Sequence, residues 1–169
     1  MTHSMTMEMA IRIAMMTTAM RIRLAILPVA VVAAAVVLPL NSRLGLIRDS
    51  KLLSPAQRTR FLPKLIARLA GHGIGQAEAE EVDELGLRRA TFLAMRRALA
   101  ALVAQCTVDY VLVDAWKIPD LVIPQQGIIH GDALVKSIAA ASIVAKVHRD
   151  AFMNELANQY PQYKFDEHK

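Results

Sequence analysis

The longest apolar stretch runs from Leu24 to Leu40, LAILPVAVVAAAVVLPL, seventeen residues without a charge. Three readings fit it. A membrane span would be at the short limit of length and would carry Pro28 and Pro39. A secretory apolar region would stand behind Arg21 and Arg23, after a long methionine-rich segment. A strand buried on both faces would explain the Val-rich core of the stretch and its bounding prolines. Periodicity alone leaves all three open.

Further along, the pattern changes period. NSRLGLIRDSKLL is a polar connection, and SPAQRTRFLPKLIARLAG reads as a helix with Ser54 as N-cap, Pro55 at the first position and Gly71 just past the end. Pro63 inside it predicts a kink or a split. HGIGQAEAEEVDEL begins as a strand and ends as the acidic first turn of a helix. GLRRATFLAMRRALAALVA is the strongest helical pattern, with Leu87, Ala90, Leu93, Ala94, Ala98 and Leu102 near one face. DYVLVDAW predicts a short central strand that ends in Asp114. KIPDLVIPQQG is a proline-punctuated loop, IIHGD a further short strand, and a helix rich in small residues runs from Asp132 to about Tyr160, where Pro161 stops it. The order is strand, helix, strand, helix, strand, strand, helix, which predicts an α/β domain with a helix-flanked sheet.

Composition narrows the picture modestly. Hydrophobic residues make up 54% of the 169 and aromatic residues 5%, so the core must be built from Ala, Val, Leu and Ile. The net charge of +5 suits a polyanionic partner without requiring one. The single cysteine, Cys106, excludes a disulfide within the chain and a thiolate metal site. A buried structural thiol in a reducing, cytoplasmic setting is the expectation.

Asp114 and Asp132 carry the candidate chemistry. If the strands that lead to them are neighbours, both carboxylates enter one crevice, and such hard oxygen ligands suit magnesium or manganese. Each acid alone has a plainer role, as a helix cap or a strand end.

The blocks VVAAAVVLP, IRDSKLLSPAQR, VDEL with RRATFLAMRRAL, DYVLVDAWKIP and HGDALVKSIAAASIVAKVHRDAFMNELANQYPQYKFDEHK resemble ribonuclease HII over roughly residues 29 to 169. The resemblance implies a ribonuclease H-like mixed sheet flanked by helices, spanning residues 24–169 as one domain. It implies that Asp114 and Asp132 are catalytic metal ligands for Mn²⁺ or Mg²⁺, and that Ser50 and Lys51 contact the substrate backbone. The implied substrates are RNA:DNA hybrids and DNA duplexes that contain ribonucleotides. A cytoplasmic monomer without stable membrane association is the corresponding expectation, and Val31 to Leu38 becomes an internal strand. The small residues of SIAAASIVAKV would let their helix lie close to the sheet and hold Asp132 near Asp114.

The chain also departs from the pattern. The family's first strand carries Gly-x-Asp-Glu-Ala-Gly-Arg-Gly, but Met20 and Arg21 stand at the Asp and Glu positions, and Glu8 is the only acid before Asp49. Residues 1–23 hold seven of the nine methionines and no regular period, which predicts an atypical, poorly ordered segment. The family's Gly-Tyr-Gly-Thr, whose tyrosine stacks on a sugar, has no counterpart before Lys169, so a truncated carboxyl end is expected. These departures predict impaired cleavage, a binding remnant without catalysis, or a non-functional frameshifted product.

Overall fold

The computed structural model describes residues 31–39 and 53–167. In chain order these form β1 (Val31–Val37), α1 (Pro55–Ile66), β2 (Gly71–Ala77), α2 (Ala79–Leu85), α3 (Leu87–Val103), β3 (Val111–Asp114), β4 (Gln125–Ile128), α4 (Gly131–Leu134) and α5 (Lys136–Gln159). Two short 3₁₀ turns follow, Pro161–Tyr163 and Phe165–Glu167. The strands pair in both senses, as a mixed α/β architecture requires, but in two separate ladders. β1 runs antiparallel to β2, from Val31 opposite Ala77 to Val37 opposite Gly71. β3 runs parallel to β4, with Val111 opposite Gln125 and Asp114 opposite Ile128.

The uncharged stretch therefore contributes a strand. Its alternation sorts the residues between two faces, one covered by α3 and the other by α1 and α5. Val31, Ala33 and Ala35 join Ala77, Ala90, Ala94 and Ala98 on the α3 side. Ala34, Val36 and Leu38 join Leu65, Ala140, Ile143 and Val144 on the side of α1 and α5. Among the described residues, no helix is long and apolar enough to cross a membrane.

β2 reads GHGIGQA, and its glycines face α3. A Cβ on Gly73 would overlap the Ala98 carbonyl and lie 2.6 Å from the Leu102 nitrogen, and one on Gly75 would overlap backbone atoms of Ala94 and Ala98. The helix thus rests on the strand backbone itself, with alanines opposite glycines. This explains why α3 buries Ala90, Ala94, Ala98, Leu99 and Leu102. Leu87, expected on that face, is 47% exposed in the first turn. α2 and α3 are joined through Gly86 alone, at φ 78°, a turn that a side chain would strain.

α1 begins as expected: Ser54 accepts from the Gln57 amide while the Gln57 side chain accepts from the Ser54 amide. Pro63 is accommodated within the helix at an exposed position, without a split. Gly71 does not stop this helix, which ends at Ile66; it opens β2 instead. Arg58 links α1 to α5, with Nη2 3.2 Å from Asp150 Oδ2 and Nη1 donating to the Leu53 carbonyl at 2.9 Å. The two side chains are only 14% and 13% exposed, so the Arg58 charge is committed to the fold.

α5 spans the molecule beneath both ladders, contacting β1 and β3. Its small and branched residues Ile138, Ala139, Ala140, Ile143, Val144 and Val147 are buried. Removing a side chain such as Ile143 from water contributes roughly 2 kcal/mol. The Arg97 guanidinium forks onto both oxygens of Glu81 at 2.6 and 2.7 Å and also donates to the Gln76 carbonyl. That hydrogen-bonded pair holds the Glu81 carboxyl down to about 2, whereas burial and the neighbouring Glu81 and Glu80 raise Glu78 above its ordinary value.

Candidate active site

The parallel pairing of β3 and β4 brings their carboxyl ends to one side, where open α/β sheets form their crevices. Asp114 is the last residue of β3 and is exposed. β4 occupies Gln125–Ile128 rather than the IIHGD stretch expected from the pattern. Its ladder starts where the Pro124 carbonyl accepts from Val111, and the chain leaves it at Ile129 to turn into α4.

Two residues in the left-handed region shape the crevice. Ala115, immediately after Asp114, has φ 61°, and its amide donates to the Ile128 carbonyl at 2.8 Å. His130, just before α4, has φ 57°. Each costs of order 1 kcal/mol for a side-chain-bearing residue, and such strain gathers where geometry is being enforced. The turn at His130 aims the Gly131 amide at Asp114, whose Oδ1 accepts from it at 2.9 Å. Asp114 is thereby tied to the backbone next to Asp132, which is half-buried in the first turn of α4.

The helix expected to run unbroken from Asp132 is interrupted. Val135 is extended at φ −122°, its amide closing α4 on the Gly131 carbonyl and its carbonyl opening α5 by accepting from Ala139. A pocket of about 70 Å³ opens between Asp132 and Lys136 at this break. Asp132 thus sits on a one-turn element held between β4 and α5.

As a donor set, one carboxylate at a strand end and one on the helical turn after the neighbouring strand would suit a hard divalent cation, with water or substrate oxygens completing its shell. Among the described residues there is no group of three or more His, Cys, Asp or Glu side chains that could hold a metal ion. Ser50 and Lys51 lie outside the described residues, as do Met20 and Arg21. Periodicity gave no sign of the left-handed turns, nor of the surface beside them. There Trp116 is 67% exposed with the Arg88 guanidinium 5.3 Å from its ring centre. The adjacent aromatic and basic residues in DAWK and LRRATF were the only available signal.

An acid at one strand end of a parallel pair, a second on the helical turn that follows its neighbour, and a long helix packed beneath define an α/β protein with a crevice at its strand ends. Residues 26–169 match the family described as Ribonuclease HII. The chain is 44% identical over 141 residues to a ribonuclease HII of Dehalococcoides mccartyi, a match covering 82% of this chain and 66% of that protein. It is 40% identical over 137 residues to one of Caldicellulosiruptor saccharolyticus, covering 81% and 66%. With one of Desulfitobacterium hafniense it shares 45% over 138 residues, covering 82% and 52%. The matches therefore span from about half to just under two thirds of these relatives. In backbone, the chain is similar to the ribonuclease H2 from Pyrococcus horikoshii, with a TM-score of 0.56 and 24% identity over 68% of this chain and 60% of that one, a likeness of fold. This chain belongs to the ribonuclease HII family.

Proposed function

We propose that the chain cleaves the RNA strand of RNA:DNA hybrids, and ribonucleotides embedded in duplex DNA, by metal-assisted hydrolysis of a phosphodiester. The observation that supports this reading is the hydrogen bond from the Gly131 amide to Asp114, which ties that acid to the backbone next to Asp132. Asp114 and Asp132 would hold Mn²⁺ or Mg²⁺, and bound cations of this kind acidify water and neutralise charge on the scissile phosphate, in a two-metal arrangement where both sites fill. Asp114 is restrained by the Gly131 amide. Lys51 and Ser50 are assigned to the phosphate backbone of the substrate. The net charge of +5 supports a polyanionic substrate.

The same reading includes a low rate. Met20 and Arg21 stand where the family pattern has Asp and Glu, so half of the expected carboxylates are missing and a cation is added. Each 1.4 kcal/mol of lost transition-state stabilisation slows the reaction about tenfold. A second reading, binding without cleavage, draws on those two positions. One assay separates the two. A duplex with a single embedded ribonucleotide is incubated with the chain and Mn²⁺. Slow nicking at the ribonucleotide that disappears in Asp114→Asn supports the nuclease. Binding with no nicking, in the chain and in a Met20→Asp, Arg21→Glu variant alike, supports the second reading.

A further inference from the structure

Beside the crevice lies a surface that the two acids do not use. The loop from Ala115 to Asp120 is pinned at several points. The Trp116 amide donates to the Asp114 carbonyl at 2.9 Å. Gln125 clamps Ile118 from both sides, accepting from its amide at 2.8 Å and donating to its carbonyl at 2.7 Å. Arg96 of α3 donates to the Pro119 carbonyl at 2.5 Å and lies 3.6 Å from Asp120. Ile118 is buried at 4% exposure, so the loop has an apolar anchor as well. A loop held this firmly nonetheless turns its largest residue, Trp116, to solvent at 67% exposure.

Trp116 is not bare. The Arg88 guanidinium lies 5.3 Å from its ring centre and 5.8 Å from that of Phe92. A guanidinium drawn to aromatic faces still carries N–H donors that can bond a further partner. Among the described residues Arg88 makes no ion pair. Lys117 follows on the same loop and is exposed. The exposed indole and the ammonium two and three residues past Asp114, with the Arg88 guanidinium from α3 over the indole, form a preordered aromatic and cationic patch.

We infer that Trp116 and Arg88, with Lys117, grip the sugar–phosphate backbone of the duplex next to the cleavage position. The inference rests on the nuclease reading above. Bases in a duplex are stacked on each other, so the indole meets a sugar, while Arg88 and Lys117 meet phosphate oxygens. Two residues of chain span at most about 7 Å, roughly two base-pair rises of 3.4 Å, so the contact falls within a couple of nucleotides of the bond at Asp114. The contact reads shape and charge rather than sequence.

Trp116 is the chain's one tryptophan, so its emission reports this surface alone. The full chain is titrated in EDTA with an end-labelled duplex carrying one ribonucleotide, recording tryptophan emission and duplex anisotropy together. The expected result is an emission change that follows the anisotropy isotherm. Binding should be about fivefold to tenfold weaker in Trp116→Ala, with an unchanged melting temperature, as loss of an aromatic nucleic-acid contact produces. Arg88→Ala should lower the slope of log affinity against log salt by about one, the share of a single phosphate contact. Anisotropy that saturates while emission stays constant and Trp116→Ala binds equally well would overturn the inference and leave the nuclease reading standing. No anisotropy change at any concentration would overturn both.

Discussion

Around β1 and β2 the chain packs until no side chain intervenes between Gly73, Gly75 and α3, whereas β3 and β4 leave Leu112, Asp114 and Gln126 exposed. In the first half the residues are small and are covered by helices on both faces. In the second half the ladder is four residues long, and left-handed residues at Ala115 and His130 set its exits. The contrast separates two jobs. One half supplies the free energy that keeps the chain folded; the other places polar groups with turns and single hydrogen bonds. Substitutions in the first half should therefore report on stability, and those in the second on metal and substrate.

The sharpest break falls on β2. Gly75→Val places a branched side chain against the α3 backbone, and the loss should exceed the ~1–3 kcal/mol of ordinary overpacking. Failure to give a cooperative urea transition is the expected outcome, and a native-like transition would show that α3 can lift from the strand. Next comes Ile143→Ala, which leaves a cavity under β1 and should cost about 2–5 kcal/mol by urea unfolding. Asp150→Ala strands the Arg58 charge between α1 and α5, and about 3 kcal/mol is expected from loss of one partner of a largely buried pair. Asp150→Asn, which keeps an acceptor, should lose less.

The smallest effect concerns acid. Glu81 is held at about 2, below its ordinary 4.5. Its contribution is therefore fully present above about pH 4.5 and disappears as the pH falls through about 2. Glu78 is raised, so its term has the opposite sign: present at low pH and lost as the pH rises through its folded value. Urea midpoints measured from pH 5 to pH 2 should fall less steeply in Glu81→Gln than in the parent chain. Equal slopes would remove the Arg97 pair from the account.

Legibility in the sequence followed the same division. The Ser54–Pro55 start of α1 is a local signal and formed as read, whereas VVAAAVV left three readings open until the resemblance singled out the strand that formed. Of the α3 stripe, Ala90, Ala94, Ala98 and Leu102 are buried, Leu93 is half-buried and Leu87 is exposed. Gly71 was misread as a helix stop because a glycine serves equally to end a helix and to let a helix approach a strand; only the tertiary partner decides. The break at Val135 was invisible because an apolar residue within an apolar run carries no mark of its backbone angle, although a β-branched residue accepts the extended form readily. Asp114 and Asp132 were readable as a pair because one ends a strand and the other opens a helix. The Gly131 amide that joins them was not, since it depends on a left-handed turn at a histidine.

The central claim is that the ends of β3 and β4 make a cation site from Asp114 and Asp132. Manganese binding read by electron paramagnetic resonance tests it most directly, on the parent chain and on Asp114→Asn and Asp132→Asn, each first shown to keep the parent's urea midpoint. The account predicts saturable loss of the free-ion signal in the parent chain and a marked weakening in each variant. Manganese affinity that is the same in all three would contradict it.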